Sequence, residues 1–212
     1  MKGAVRFIRG NSLQSLLMAA LLLVGIVLIT SQVVSQEKST VKEEEEAVMA
    51  EWMKYAMPGE HHKLLDPYVG SWTYTMQWWM APNTEAQEFK GTCDTSWILD
   101  GRFLLQKVSG DMEGETFKGM GIMGFDNLKQ QYTTMWIDNM STAIMTNLGT
   151  CDPSGKVFTL TGFYDDAMSG KKNQKIKTVD RIVNENEHVS EMWITGPDGK
   201  EFKTGEIVYT RK

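Results

Sequence analysis

The sequence predicts an all-β protein, an antiparallel up-and-down barrel of about ten strands preceded by a short helical cap. Three observations predict it. Turn signals cut the chain from Val69 to Arg211 into about ten short runs, each long enough for a strand and none patterned as a long helix. Several runs alternate apolar and polar residues, as a sheet with one buried face requires. The connections are of hairpin length, and so many antiparallel strands in one module tend to close on themselves. A closed sheet of that size has an interior, and an interior can hold a ligand. The chain therefore reads first as a container for a small molecule.

The length of 212 residues allows one domain with appendages. The chain has 15 Met and 7 Trp. Met fills irregular apolar space and Trp adds large rigid area, so the pair suits either an adaptable core or a lined pocket. Net charge is −5, and an acidic module repels phosphate backbones. Nucleic acid is not expected as a partner.

Residues 1–36 read as a signal peptide or signal anchor. Lys2, Arg6 and Arg9 form a basic start, and Leu16 to Ile29 is an unbroken run of 14 apolar or small residues. That length fits a secretory core and falls short of the ~20 residues of a comfortable membrane span. Val33-Val34-Ser35 offers a cleavage site; in the alternative, the segment stays as an anchor. Either version exports the remainder of the chain, to a periplasmic, extracellular or membrane-anchored position. Any membrane contact is expected through this segment alone.

Residues 37–46 form an acidic linker ending in Glu43-Glu44-Glu45-Glu46, a solvated spacer or the first turns of a helix. Residues 47–67 form the helical cap. Val48, Trp52 and Tyr55 fall at helical spacing, and Pro58-Gly59 stops the helix. Glu60 to Leu65 adds a turn with Leu64 and Leu65 inward. A short amphipathic helix here would cover one open end of the barrel.

The barrel domain is 68–212. Strands are expected at about Ser71–Met80, Gln87–Ile98, Arg102–Ser109, Glu115–Phe125 and Gln131–Asp138. They continue at about Thr142–Cys151, Val157–Asp165, Lys172–Val183, His188–Thr195 and Glu201–Thr210. Asp100-Gly101, Asp152-Pro153-Ser154-Gly155 and Pro197-Asp198-Gly199-Lys200 carry turn chemistry. Trp72, Tyr74, Met76 and Trp78 share a face of the first strand. Gly119, Gly121 and Gly124 superficially match a dinucleotide fingerprint, but no βαβ unit accompanies them. They read as bends where the sheet curls to close. Cys93 and Cys151 fall on the second and sixth strands, which are not neighbours in such a barrel, so free buried thiols are expected.

Two resemblances bear on this reading. Val69-Gly70-Ser71-Trp72 resembles the opening strand of calycins, the group of lipocalins and fatty-acid-binding proteins. The likeness implies that Trp72 closes the barrel base and that Arg211 packs across it. Pro58-Gly59-Glu60-His61-His62-Lys63-Leu64, Leu99-Asp100-Gly101-Arg102-Phe103-Leu104, Gly121 to Asn127, Met135 to Thr142 and Glu206 to Arg211 extend the comparison. Together with Trp52-Met53 they resemble a bacterial family known as domain of unknown function 1579, over about Met49 to Arg211. That resemblance implies the barrel and no activity.

The pocket is expected at Trp72, Tyr74, Met76, Trp78, Trp97, Tyr132, Trp136 and Trp193, with Arg102 as a polar anchor for a carboxylate. Arg181, Glu191 and Glu206 are strand charges that suit the solvent face. Glu60-His61-His62 is the densest metal-capable cluster, but adjacent His residues on a helix diverge, and no metal or other cofactor is assigned. Haem ligation by His188 is a further option. No catalytic residue is assigned; an enzyme would have Asp126, Asp138 or His62 as acid or base, with Ser141 nearby. The leading expectation is a barrel that binds a small apolar or amphiphilic molecule. The alternatives are that enzyme and an interaction module of the cell envelope.

Overall fold

The computed structural model describes residues 11–112, 114–166, 170–196 and 198–212. Lys2, Arg6 and Arg9 of the expected leader, and Pro197 of the last turn, lie outside them. The chain divides into two units, residues 1–54 and 55–212. In the first, helix α1 (Asn11–Ala56) runs unbroken, so residues 37–46 are helical. Helix-spaced pairs such as Ser39 Oγ to Glu43 and Lys42 with Glu46 support it along its exposed side. Val48, Met49, Trp52 and Met53 are exposed. Among the described residues no helix is long and apolar enough to cross a membrane.

The second unit is a closed barrel of ten antiparallel strands. They are β1 (Gly70–Trp78), β2 (Gln87–Ile98), β3 (Phe103–Met112), β4 (Glu115–Asp126) and β5 (Gln131–Asp138), then β6 (Met145–Cys151), β7 (Val157–Tyr164), β8 (Gln174–Asn184), β9 (Glu187–Thr195) and β10 (Glu201–Arg211). Each strand pairs with the next, and β10 returns to β1, so no edge is left unpaired. β6 starts three residues later than the sequence suggests. The Asp138 carboxylate accepts from Met140 N–H and the Ser141 hydroxyl accepts from Ala143 N–H, which holds this stretch as a loop. Cys93 and Cys151 are free, the first buried and the second half-buried.

One end of the barrel is filled. The end of α1 stops before Pro58, which cannot continue a helix. A one-turn helix α2 (Glu60–Lys63) and a 3-10 turn (Asp66–Tyr68) come next and insert Leu65 and Tyr68. They pack with Leu104, Phe125, Tyr132, Phe158 and Leu160 in one core. The plug is α2 and the 3-10 turn, at the end of the segment expected as the cap. Next to it lies the seam of the barrel. Trp72 faces Arg211 across β1 and β10, and the guanidinium carbon sits 4.1 Å from the indole centroid. Arg211 Nη1 donates to Val69 O at 2.9 Å, Nη2 to Pro67 O at 3.2 Å and Nε to Glu185 O at 2.7 Å. Trp72 Nε1 donates to Tyr68 O at 3.0 Å, so the ring is both buried and satisfied.

Trp72→Ala should lower unfolding free energy by about 3–5 kcal/mol, the range for losing a large buried aromatic. Ser71→Ala, on the exposed face next to it, should cost far less. Urea denaturation followed by circular dichroism measures both; equal effects would mean that the seam is not a stability centre.

Candidate functional site

Strand register defines the inner wall. Residues paired across strands share a face, so rows of partners run around the barrel. One row reads Phe158, Asp180, Ser190, Ile207, Met76 and Phe89. Its first member, Phe158, is 0% exposed and belongs to the plugged end. Its later members are half-buried although they face the barrel axis. A half-buried residue that points inward touches space large enough for water. The inner wall therefore keeps accessible surface beyond the plugged end, beside positions such as Ile176 and Asn147 that are buried.

The large side chains of the wall lie on glycines. A Cβ on Gly91 or Gly110 would stand 2.7 Å or 2.3 Å from Tyr74 atoms, so that ring lies flat across two strands. Gly119 supports Trp136 in the same way, with 2.3 Å to the indole, and Gly205 lies beneath Trp78 and Met192. Gly119, Gly121 and Gly124 are not among the glycines with positive φ. The first two also give Trp136 room, and Gly124 gives room to Phe103 on the outer face.

The expected pocket residues separate into groups. Trp72 and Tyr132 are fully buried and belong to the packed end. Tyr132 donates to His61 O at 3.0 Å, and Trp97 Nε1 to Asp66 at 2.9 Å, so both hold the plug. Tyr74 is buried above them, while Met76, Trp78 and Trp136 are half-buried on the inner wall beyond it. Two expectations do not hold. Trp193 pairs with Lys177 and Lys203, one position out of phase with the inward Met192 and Ile194. It lies on the outer face, with Lys177 Nζ 5.2 Å from its ring, beside the Arg181–Glu191 ion pair. Arg102 precedes β3 at the plugged end. Its Nε donates to Ala56 O at 3.0 Å and its Nη1 to Leu99 O at 3.2 Å, so it anchors the end of α1 rather than a ligand.

The candidate acids and bases are dispersed and occupied. Asp126 accepts from Leu128 and Lys129 N–H in a turn at the plugged end, and these bonds hold its carboxyl below the usual range. His62 Nδ1 accepts from Gly59 N–H at 3.1 Å. Asp138 stands at the opposite, open end, where it accepts the Trp136 indole N–H at 2.7 Å and orients that ring. Among the described residues no three His, Cys, Asp or Glu side chains are grouped to hold a metal ion. His188 is enclosed: it stacks on Tyr209 at 4.3 Å and meets Tyr68 and Trp72 edge-on at 4.9 and 4.6 Å. Its ring fills the packed end and leaves no open face for haem. Burial first, and Arg211 second, push its pKa down to about 3, so it is neutral.

Sequence reasoning missed the polar part of the wall. Asp180 on β8 faces inward beside Ser190, its partner on β9, and burial raises its pKa to about 6. The signal was present: Ile176, Thr178, Asp180 and Ile182 alternate on one face. A shallow cavity of about 490 Å³ also opens at the rim beside β2, along Gln87, Phe89 and Lys90, with Asp111 of β3.

The class of protein is thus a closed ten-stranded antiparallel barrel, plugged at one end. The chain belongs to the DUF1579 family, proteins of unknown function, whose model matches residues 57–211. The match begins after Trp52-Met53, which were part of the resemblance in sequence. No curated protein matches the chain. The crystal structure of Rv2717c from M. tuberculosis is similar, with a TM-score of 0.53 at 14% identity, over 74% of this chain and 99% of that one. A redesigned β barrel also aligns, with a TM-score of 0.38 at 14% identity, over 72% of this chain and 95% of that one. The first likeness agrees with the fold and carries nothing about activity.

His188 makes stability pH-dependent. Its folded pKa lies below the usual 6.5, so the unfolded chain binds the extra proton and stability falls as pH drops from about 6.5 towards 3. Asp180, with its pKa raised from 3.8 to about 6, acts in the opposite direction between those values. Comparing His188→Phe with the wild type cancels Asp180. The variant's stability relative to wild type should rise steadily as pH is lowered through that window. A difference that does not vary with pH, measured by urea denaturation at several pH values, would refute a buried neutral His188.

Proposed function

We propose that this protein is an exported binding barrel that takes up a small apolar or amphiphilic molecule through its open end. The observation that carries the reading is the half-buried state of inward-facing Met76, Thr178, Ser190 and Ile207. A barrel that served only as a packed module would bury these positions as it buries Phe158 and Leu160. Met76, Trp78, Trp136 and Met192 supply an apolar and adaptable lining, which suits a flexible chain. The dispersion of Asp126, Asp138 and His62 over the two ends favours binding without chemistry. Export rests on the basic start and the apolar run of the leader, with the membrane involved only if that segment is retained. The acidic balance of the chain disfavours nucleic acid.

Native mass spectrometry of the purified full chain, with a panel of single-chain amphiphiles, tests the reading. The expected result is retention of one small molecule per barrel and quenching of tryptophan emission that is weakened in Trp136→Leu. A panel that leaves the mass and the emission unchanged would remove the container function.

A further inference from the structure

We propose that the ligand bound in the hollow part of the barrel carries an amine head group, which seats against Asp180. The inference rests on the container reading above and names its ligand class. It starts from the charges of the inner wall. Among the described inward-facing positions that are buried or half-buried, the formally charged side chains are Asp138, Asp180 and Arg211. Arg211 is committed at the plugged end to three backbone carbonyls and the face of Trp72. Asp138 is at the rim, occupied by the Trp136 indole and Met140 N–H. Of the three, Asp180 stands at mid-depth, between Phe158 and Ser190 in its row.

Asp180 stands between Phe158 and Ser190 across the strands, and among the described residues no cation forms an ion pair with it. A carboxylate accepts several hydrogen bonds, and the Ser190 hydroxyl is the donor on the neighbouring strand. The buried Tyr68 hydroxyl has no hydrogen-bond partner among the described residues. The Asp180 charge acts on that hydroxyl, and the two are not hydrogen-bonded. An ammonium brings three donors. It can give these to the Asp180 carboxylate, with its alkyl chain running past Ile207 and Met76 towards the open end. A carboxylate head group, by contrast, would meet Asp180 with like charge and find no free Arg or Lys on the described wall. The structure thus reverses the polarity expected from Arg102.

Decylamine, decanol and decanoate have one chain length and three head groups, and titration calorimetry at pH 7.4 with the full chain tests the assignment. The amine should bind at least tenfold tighter than the acid, with the alcohol between them; tenfold is about 1.4 kcal/mol. Asp180→Asn should remove the amine's advantage and leave the alcohol within about threefold. Decanoate binding as tightly as decylamine to the wild type would overturn the assignment without using any variant, and the container reading would stand. Undiminished preference for the amine in a folded Asp180→Asn protein would overturn it too. Failure of all three probes to bind would overturn the container reading together with this one.

Discussion

The barrel depends on one meeting of side chains, the Arg211 guanidinium on the face of Trp72. Three things occur there at once. The first and last strands join, so the sheet loses its edges. The Arg211 fork binds carbonyls of the plug segment and of the β8–β9 connection, so the plug and a hairpin are tied to the seam. The indole is placed against His188, which packs with Tyr68 and Tyr209. A cation over an aromatic face gains more where water is excluded, and here both groups also satisfy backbone acceptors. The packed end of the barrel is built outward from this contact.

The other end of the barrel answers to a different constraint. A closed sheet of ten strands is wider than side chains can easily fill. The chain answers this with large rings set flat on glycines rather than pointed at the axis: Tyr74 over Gly91 and Gly110, Trp136 over Gly119. Each ring is supported by the neighbouring backbone and held by the pairing of the strands. The inner wall there is apolar at Met76 and Ile207 and polar at Asp180 and Ser190. That polar side governs which head groups the space can accept.

Much of this architecture was legible in the chain. Asp100-Gly101 and Asp152-Pro153-Ser154-Gly155 mark real connections, with φ positive at Asp100, Gly101 and Gly155. Alternation along β1 correctly put Trp72, Tyr74, Met76 and Trp78 on one face. The parts that were not legible depend on register between strands distant in sequence. Trp193 looks like a pocket residue by composition, but an aromatic on the outer face beside Lys177 is equally compatible with its local pattern. Arg102 looked like a ligand anchor because its true partner, Ala56 O, comes from another element. Asp180 was obscured by Arg181 next to it, since adjacent charges suggest a solvated strand, whereas the two point to opposite faces. The glycines of β4 could be counted, but the rings above them come from Trp136 and Phe103 on neighbouring strands.

The seam has a further consequence, in time rather than in space. Thr73 and Thr210, bonded across it, are 137 residues apart in the chain. Every other strand pair in the barrel joins neighbours in sequence and can form as a local hairpin. The closing pair must bring together the two ends of the domain, against the entropy of the longest loop available to it. Folding is therefore expected to be limited by a last, non-local step, in which an open sheet with two free edges waits for its own terminal strand. Until Arg211 reaches Trp72, those edges are open to any other extended chain, and the same contact that holds the finished barrel together also ends its period of exposure to misassembly.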